Sequence, residues 1–183
     1  MKAKARLVAK GYRQVQGIDY MDTYAPTPSL SSIRLLCAHA CATDFPLYHL
    51  DAEQAFVQSN LREEIYMRLP QGCKEDSGKV VMLNRGLYGL KQAGREWSSL
   101  LSSTLIKLGF EHCMADPCVF RLMDGEVVRT LVLAHVDDRL TVSSYEDCTL
   151  LRDELSEFFP VKDLGGLNCY MGCNFDRDAR EQR

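Results

Sequence analysis

The apolar positions of this chain alternate between helical and strand spacing, and the changes of period mark out its elements. Ile33, Leu36, Cys37, Ala40 and Cys41 lie along one side of a helix predicted over 32–43. Ser29 or Ser31 can cap its start, and Asp44-Phe45-Pro46 breaks its end. Leu47–Asp51 then reads as a short strand that ends on a carboxylate. Residues 3–9 alternate enough for an earlier strand, followed by a polar loop ending at Tyr24-Ala25-Pro26-Thr27-Pro28. Ile65–Leu69 and Val80–Leu83 are two more strands, the first closed by Pro70-Gln71-Gly72. From Gln92 to Leu108 the period returns to 3.6, with Trp97, Leu100, Leu101, Leu105 and Leu108 on one stripe and Gly109 as a stop.

The second half is mostly strand. Cys118–Leu122 and Val127–Val136 are joined by Met123-Asp124-Gly125-Glu126, where Asp-Gly signals a hairpin. Val127–Val136 carries one charge and suits a strand buried on both faces. Asp137-Asp138 interrupts it, and Arg139–Val142 resumes. Ser144 with Asp147 resembles a capping box for a helix over 145–158, with Leu151, Leu155 and Phe158 facing inward. Short strands near 161–164 and 168–175 precede a charged tail, 176–183, expected to fray. Interleaved helices and hairpins make the class α+β. No β-G-x-G-x-x-G-α unit supports a dinucleotide-binding fold.

Composition narrows the function. Apolar residues make up 46% of the 183 and charged residues 26%, a globular balance. No apolar run is long enough to span a bilayer and no signal peptide opens the sequence, so a protein inside the cell and free of membrane is expected. The eight cysteines lack C-x-x-C spacing and read as small buried thiols rather than a zinc site. Net charge is -3, against a general nucleic-acid binder. Yet residues 1–18 hold five cations (Lys2, Lys4, Arg6, Lys10, Arg13) and no acid, which suggests a local surface facing phosphates.

Two carboxylate placements need a reason. Asp51 ends a strand, and Asp137-Asp138 sits inside the most apolar stretch. A tight hairpin explains the pair, with both side chains projecting from its tip. If the Asp51 strand lies beside that hairpin, three carboxylates converge. Two charges about 4 Å apart repel by roughly 4 kcal/mol at an effective dielectric near 20, so a proton or a metal is required. Hard oxygen donors at close quarters suit Mg²⁺. Read singly, the aspartates are a polar turn and a helix cap.

The order of blocks along the chain resembles the Ty1/copia reverse transcriptases. Lys4-Ala5-Arg6-Leu7-Val8-Ala9-Lys10-Gly11-Tyr12, Gln14, Gly17-Ile18-Asp19-Tyr20 and Thr23-Tyr24-Ala25-Pro26 resemble the fingers segment. Leu50-Asp51 with Ala55-Phe56 resembles the first palm motif, and Glu63-Glu64-Ile65-Tyr66-Met67 with Leu69-Pro70-Gln71-Gly72 the next stretch. Leu87-Tyr88-Gly89-Leu90-Lys91-Gln92-Ala93, then Arg95 and Trp97, is the most diagnostic run. His135-Val136-Asp137-Asp138 resembles the catalytic signature, and Lys162-Asp163-Leu164-Gly165 with Tyr170-Met171-Gly172 the closing stretch.

The resemblance implies a polymerase palm, an antiparallel sheet packed on helices, over 28–59 and 94–175. It implies partial fingers over 1–27 and 60–93, with no thumb or RNase H. It implies an RNA-directed DNA polymerase that adds dNTPs to a primer on an RNA or DNA template, using two Mg²⁺ ions, with Mn²⁺ a possible substitute. Asp51, Asp137 and Asp138, helped by the Ala52 backbone, would hold the ions. Phe56 would be the gate under the sugar, Gln92 would touch the nucleotide or its template partner, and Lys4 or Arg6 would hold the triphosphate. His135, Met171 and Gly172 would meet primer and template. Lys162 is either a surface lysine or a proton donor to pyrophosphate. The remaining partners would be the integrase and RNase H of a Pol polyprotein, in the cytoplasm within a virus-like particle or in the nucleus.

Three positions depart from the family pattern: His135 for Tyr, Gly94 for Pro, and Arg139 for an apolar residue. Alternation puts Arg139 on the face of Asp137, opposite Asp138, where its guanidinium is expected to pair with Asp137 and weaken metal binding. The alternative that follows is a degenerate, non-catalytic fragment that at most binds nucleic acid.

Overall fold

The computed structural model describes residues 5–70, 72–73 and 78–177. Lys4 and the tail beyond Arg177 lie outside them. The chain divides into two compact units, Met1–Pro26 with Gln54–Thr104, and Thr27–Glu53 with Leu105–Arg183.

In the second unit α1 (Leu30–Thr43) is capped by Ser29, whose hydroxyl accepts from the Ser32 N–H at 3.0 Å. That decides between the two candidate caps. After αL Asp44 the chain enters β1 (Leu47–Ala52). In the first unit, α2 (Ala55–Gln58) is followed by the antiparallel ribbon β2 (Asn60–Arg68) and β3 (Val80–Arg85), then by most of α3 (Ala93–Lys107). The rest of the second unit is β4 (Glu111–Cys113), β5 (Asp116–Asp124), β6 (Val127–His135), β7 (Asp138–Val142), α4 (Tyr145–Ser156), β8 (Val161–Gly166), β9 (Cys169–Tyr170) and β10 (Cys173–Asn174).

Six strands of this unit form one antiparallel sheet in the order β4-β5-β6-β7-β1-β8. Leu133, Leu140 and Val142 pack with Ile33, Leu36 and Ala40 of α1. Alternate positions point the other way: Tyr48 meets Tyr145 of α4, and Arg139 meets Phe159 just beyond it. The helices therefore cover opposite faces, as the two-residue period of a strand requires. Fully burying a leucine contributes about 1.5–3 kcal/mol, so Leu36, Leu133 and Leu140, all within 1% of complete burial, anchor the sheet on α1.

Several expectations are corrected. Residues 5–10 form no strand; Ala9 makes one backbone bond to Tyr88, and Gly11–Arg13 turn at once into a 3-10 helix. Val127 is 68% exposed, so double-sided burial of β6 begins only near Thr130. Phe158 is exposed and Phe159 takes the inward position, because the chain leaves α-helical geometry after Ser156. In the tail the Arg177 guanidinium donates to the Phe45 carbonyl at 2.8 Å and to Asp44 at 2.7 Å, and the residues after it lie outside the described ones.

The thiols are not uniformly buried either. Cys118 and Cys148 are buried, and burial pushes both up to about 12, but Cys41, Cys73, Cys169 and Cys173 are exposed. Because the thiolate is the reactive form, maleimide should label the four exposed cysteines of the native protein and reach Cys118 and Cys148 only in denaturant. Mass spectrometry of time-quenched samples reads this, and early labelling of Cys148 would contradict it.

Candidate active site

The strand register brings the predicted carboxylates together. β1 lies between β7 and β8, with Asp51 opposite Asp138 on one side and Lys162 on the other. The Ala52 N–H donates to the Asp137 carbonyl at 2.8 Å, which ties the β6–β7 tip to the end of β1. That tip is a two-residue hairpin loop, Val136-Asp137, closed by His135 opposite Asp138. Val136 has φ 54, a left-handed conformation that a β-branched side chain resists. Strain of this kind persists only where its surroundings hold it, and here it holds Asp137 at the apex.

The electrostatics follow from this crowding. Burial, then the charges of Asp137 and Asp138, push the Asp51 carboxyl above the ordinary carboxylate range, while Arg139 and His49 oppose the shift. Sequence reasoning missed His49. It lies two residues before Asp51 on the same face of β1, and its Nε2 is 2.7 Å from Asp138 Oδ1. Its ring meets Tyr170 edge-on, with centroids 5.6 Å apart. Period-two alternation in β1 was the signal that could have found it.

Arg139 sits where alternation predicts, on the sheet face away from Asp138. The guanidinium donates to the backbone carbonyl of Asp137 at 3.3 Å, and its carbon lies 5.7 Å from the centre of the Phe159 ring. It is completely buried; loss of water pushes its pKa down to about 10, against the charges of Asp51, Asp138 and Asp137. At neutral pH it remains a cation beneath three carboxylates.

Met171 and Gly172 form the two-residue loop between β9 and β10, with φ 49 and φ 76. Positive φ at both loop residues is the pattern of the tight hairpin turn that suits strand twist. Tyr170, just before them, is buried in the α1 face of the sheet.

In the first unit, Phe56 lies half-buried on α2, its ring meeting Tyr88. Arg6 is exposed with its guanidinium over the same Tyr88 ring. Gln92 is fully buried: its amide donates to the Asp19 carbonyl at 2.9 Å and accepts from Gln14 at 3.0 Å. Gln14 Oε1 in turn accepts from the Lys91 N–H at 2.8 Å. The glutamine pair thus orders the loop before α3, which begins normally with Gly94 in its first turn. A cavity of about 710 Å³ opens here, floored by Ile65, Leu83 and Leu90 and rimmed by Lys10, Arg13 and Arg68.

The donor chemistry suits a hard cation. Asp51, Asp137 and Asp138 offer oxygen donors, and burial together with the charges of Asp137 and Asp138 raises the Asp51 carboxyl, a cost that a cation would relieve. Among the described residues no three acidic, histidine or cysteine side chains form a ready-made cage, and Asp138 is engaged by His49. Mg²⁺ commonly takes only one or two protein carboxylates and completes its shell with water and substrate phosphates, so a closed cage is not needed.

A mixed α/β chain with an antiparallel sheet and clustered carboxylates is the class of protein defined so far. Comparison with known families gives the particular one: the family model described as reverse transcriptase (RNA-dependent DNA polymerase) matches residues 1–183. The chain belongs to that family. It is 38% identical over 179 residues to a retrovirus-related Pol polyprotein from transposon RE1 of Arabidopsis thaliana, covering 95% of this chain and 12% of that protein. It is 35% identical over 187 residues to the corresponding polyprotein from transposon TNT 1-94 of Nicotiana tabacum, covering 100% and 14%. A truncated transposon Ty1-A Gag-Pol polyprotein of Saccharomyces cerevisiae is 34% identical over 121 residues, covering 64% and 10%. The chain therefore spans 12–14% of the length of these two plant proteins. No helix among the described residues is long and apolar enough to cross a membrane.

Proposed function

We propose that this chain is the fingers and palm of a copia-type RNA-directed DNA polymerase, which transfers nucleotides from dNTPs to a primer on an RNA or DNA template. The cross-strand pairing of Asp51 with Asp138, beside the Asp137 tip, carries the reading. The second unit corresponds to the palm and the first to the fingers.

Asp51, Asp137 and Asp138, with the Ala52 backbone, would hold two Mg²⁺ ions, with Mn²⁺ as a substitute. Divalent ions bound in such a pair make a primer hydroxyl nucleophilic at neutral pH and neutralise a leaving pyrophosphate. The residues supply position. Val136 and the Ala52 N–H hold the tip, and His49 orients the Asp138 carboxylate. Phe56 closes the space beneath the sugar against a 2′-hydroxyl. Arg6, with Lys4, draws in the triphosphate. Gln92 acts through the loop it orders. His135 and the Met171-Gly172 turn would meet the primer and template backbone, and Lys162, whose pairing opposite Asp51 supports the idea, would be either a surface lysine or a proton donor to pyrophosphate. Other Pol segments, such as integrase and RNase H, would be its partners in a longer chain.

Primer extension tests this. The protein with a primed RNA template, dNTPs and Mg²⁺ should extend the primer, and Asp137→Asn should lose roughly a thousandfold in rate. Equal extension by both would end the proposal. The buried Arg139 favours a second reading, a copy that binds nucleic acid without turnover. Retained RNA–DNA binding with no Mn²⁺ binding at millimolar ion would select it.

A further inference from the structure

Tyr88 stands between two residues to which the proposed function gives separate tasks. Its ring meets Phe56 edge to face, with centroids 4.7 Å apart and planes at 65°, and the guanidinium carbon of Arg6 lies 5.7 Å from the same ring's centre. The segment carrying Arg6 is fastened to the turn carrying Tyr88. The Ala9 N–H donates to the Tyr88 carbonyl at 2.7 Å. The backbones then pass so closely that a Cβ on Gly89 would lie 2.2 Å from the Ala9 carbonyl oxygen, and one on Gly11 1.8 Å from that of Gly89. Gly86 brings the same turn against α2, where a Cβ would fall 2.4 Å from the Phe56 carbonyl oxygen. Three glycine contacts thus hold the basic segment, the aromatic turn and α2 in fixed relation, with Tyr88 at their centre.

We infer that Tyr88 is a positioning residue that couples capture of a deoxynucleoside triphosphate by Arg6 to sugar discrimination by Phe56. One face of the ring carries the guanidinium, an attraction between a cation and the negative face of an aromatic. The ring also sets the angle of Phe56 through an edge-to-face contact. Tyr88 itself touches neither sugar nor phosphate. The inference rests on the reading of Phe56 as gate and Arg6 as triphosphate ligand.

The test measures equilibrium binding of a fluorescent deoxynucleoside triphosphate to the full chain on a primed hairpin with a dideoxy end, in Mg²⁺. Unlabelled dGTP and GTP compete in parallel, so turnover is not required. Tyr88→Leu should weaken dGTP binding roughly tenfold and shrink the preference for dGTP over GTP by a similar, roughly tenfold, factor. Tyr88→Phe, which keeps the ring, should keep both. Arg6→Ala should weaken binding and also cost part of the preference, because the gate leans on a ring that Arg6 pins; this arm stands even if Tyr88→Leu fails to fold. Phe56→Ala should lose the preference for dGTP over GTP. If Arg6→Ala and Tyr88→Leu both leave the preference whole while Phe56→Ala abolishes it, the coupling is wrong and the gate stands. If Phe56→Ala leaves the preference unchanged, or the wild type binds no dGTP, the gate reading fails and Tyr88's role with it.

Discussion

Asp51→Asn is expected to stabilise the protein at neutral pH in EDTA while removing its response to divalent ions. The folded-state pKa of Asp51 is raised by burial and by the charges of Asp137 and Asp138. The fold therefore favours the protonated acid. Between the ordinary carboxylate pKa and the raised folded value the native state holds more protons than the unfolded chain, so stability falls as pH rises through that window. Above the raised value the full penalty applies, and the neutral amide removes it. The melting temperature should rise by about 2–4 °C near pH 7, a gain that disappears at pH values below the ordinary carboxylate range. Mg²⁺ should raise the melting temperature of the wild type by the mass-action term for a ligand of the native state, and leave Asp51→Asn unmoved. A calorimetric pH series reads both effects. A variant less stable than wild type at neutral pH, or equally stabilised by Mg²⁺, would contradict the account.

Arg139→Met should increase divalent-ion affinity, by roughly 10- to 100-fold given the size of charge interactions at an intermediate dielectric. The guanidinium is a permanent cation buried under the carboxylates, and it neutralises part of the charge that a metal would meet. Methionine fills similar volume without charge. Without metal the variant should lose stability at neutral pH, since Asp51, Asp137 and Asp138 then repel one another with less compensation. Isothermal titration with Mn²⁺ gives the affinity and scanning calorimetry the stability. The double variant with Asp51→Asn separates charge from packing: without the Asp51 carboxylate it should show no affinity gain. Unchanged Mn²⁺ affinity in Arg139→Met would mean that Arg139 acts only through its bond to the Asp137 carbonyl.

Much of the fold was legible in the sequence wherever a local rule and the packing agree. Ser29 and Ser144 cap their helices through the Ser32 and Asp147 N–H groups. Asp124-Gly125 makes the expected hairpin, with Gly125 at φ 60. The carboxylate cluster followed from one strand ending on an acid and another interrupted by two. What escaped depends on contacts distant in sequence. Three-residue β4 has no pattern of its own and exists because β5 pairs with it. Residues 5–10 alternate like a strand, yet their glycine neighbours press them against the 86–90 turn instead of into a sheet. Gln92 was marked by the resemblance alone; that Gln14 and the Asp19 carbonyl satisfy its amide and allow complete burial depends on partners far away in sequence. Arg139 was placed on the correct face, while its bond to the Asp137 carbonyl depends on the shape of the tip, which alternation does not show.

The most direct test is to count Mn²⁺ ions bound to the full chain on primer–template with an unreactive dNTP analogue, by electron paramagnetic resonance. Two ions should bind to the wild type, with the spin–spin broadening of close neighbours, and Asp51→Asn, Asp137→Asn and Asp138→Asn should each remove at least one. A count and spectrum identical across wild type and all three variants would mean that these aspartates share no cation.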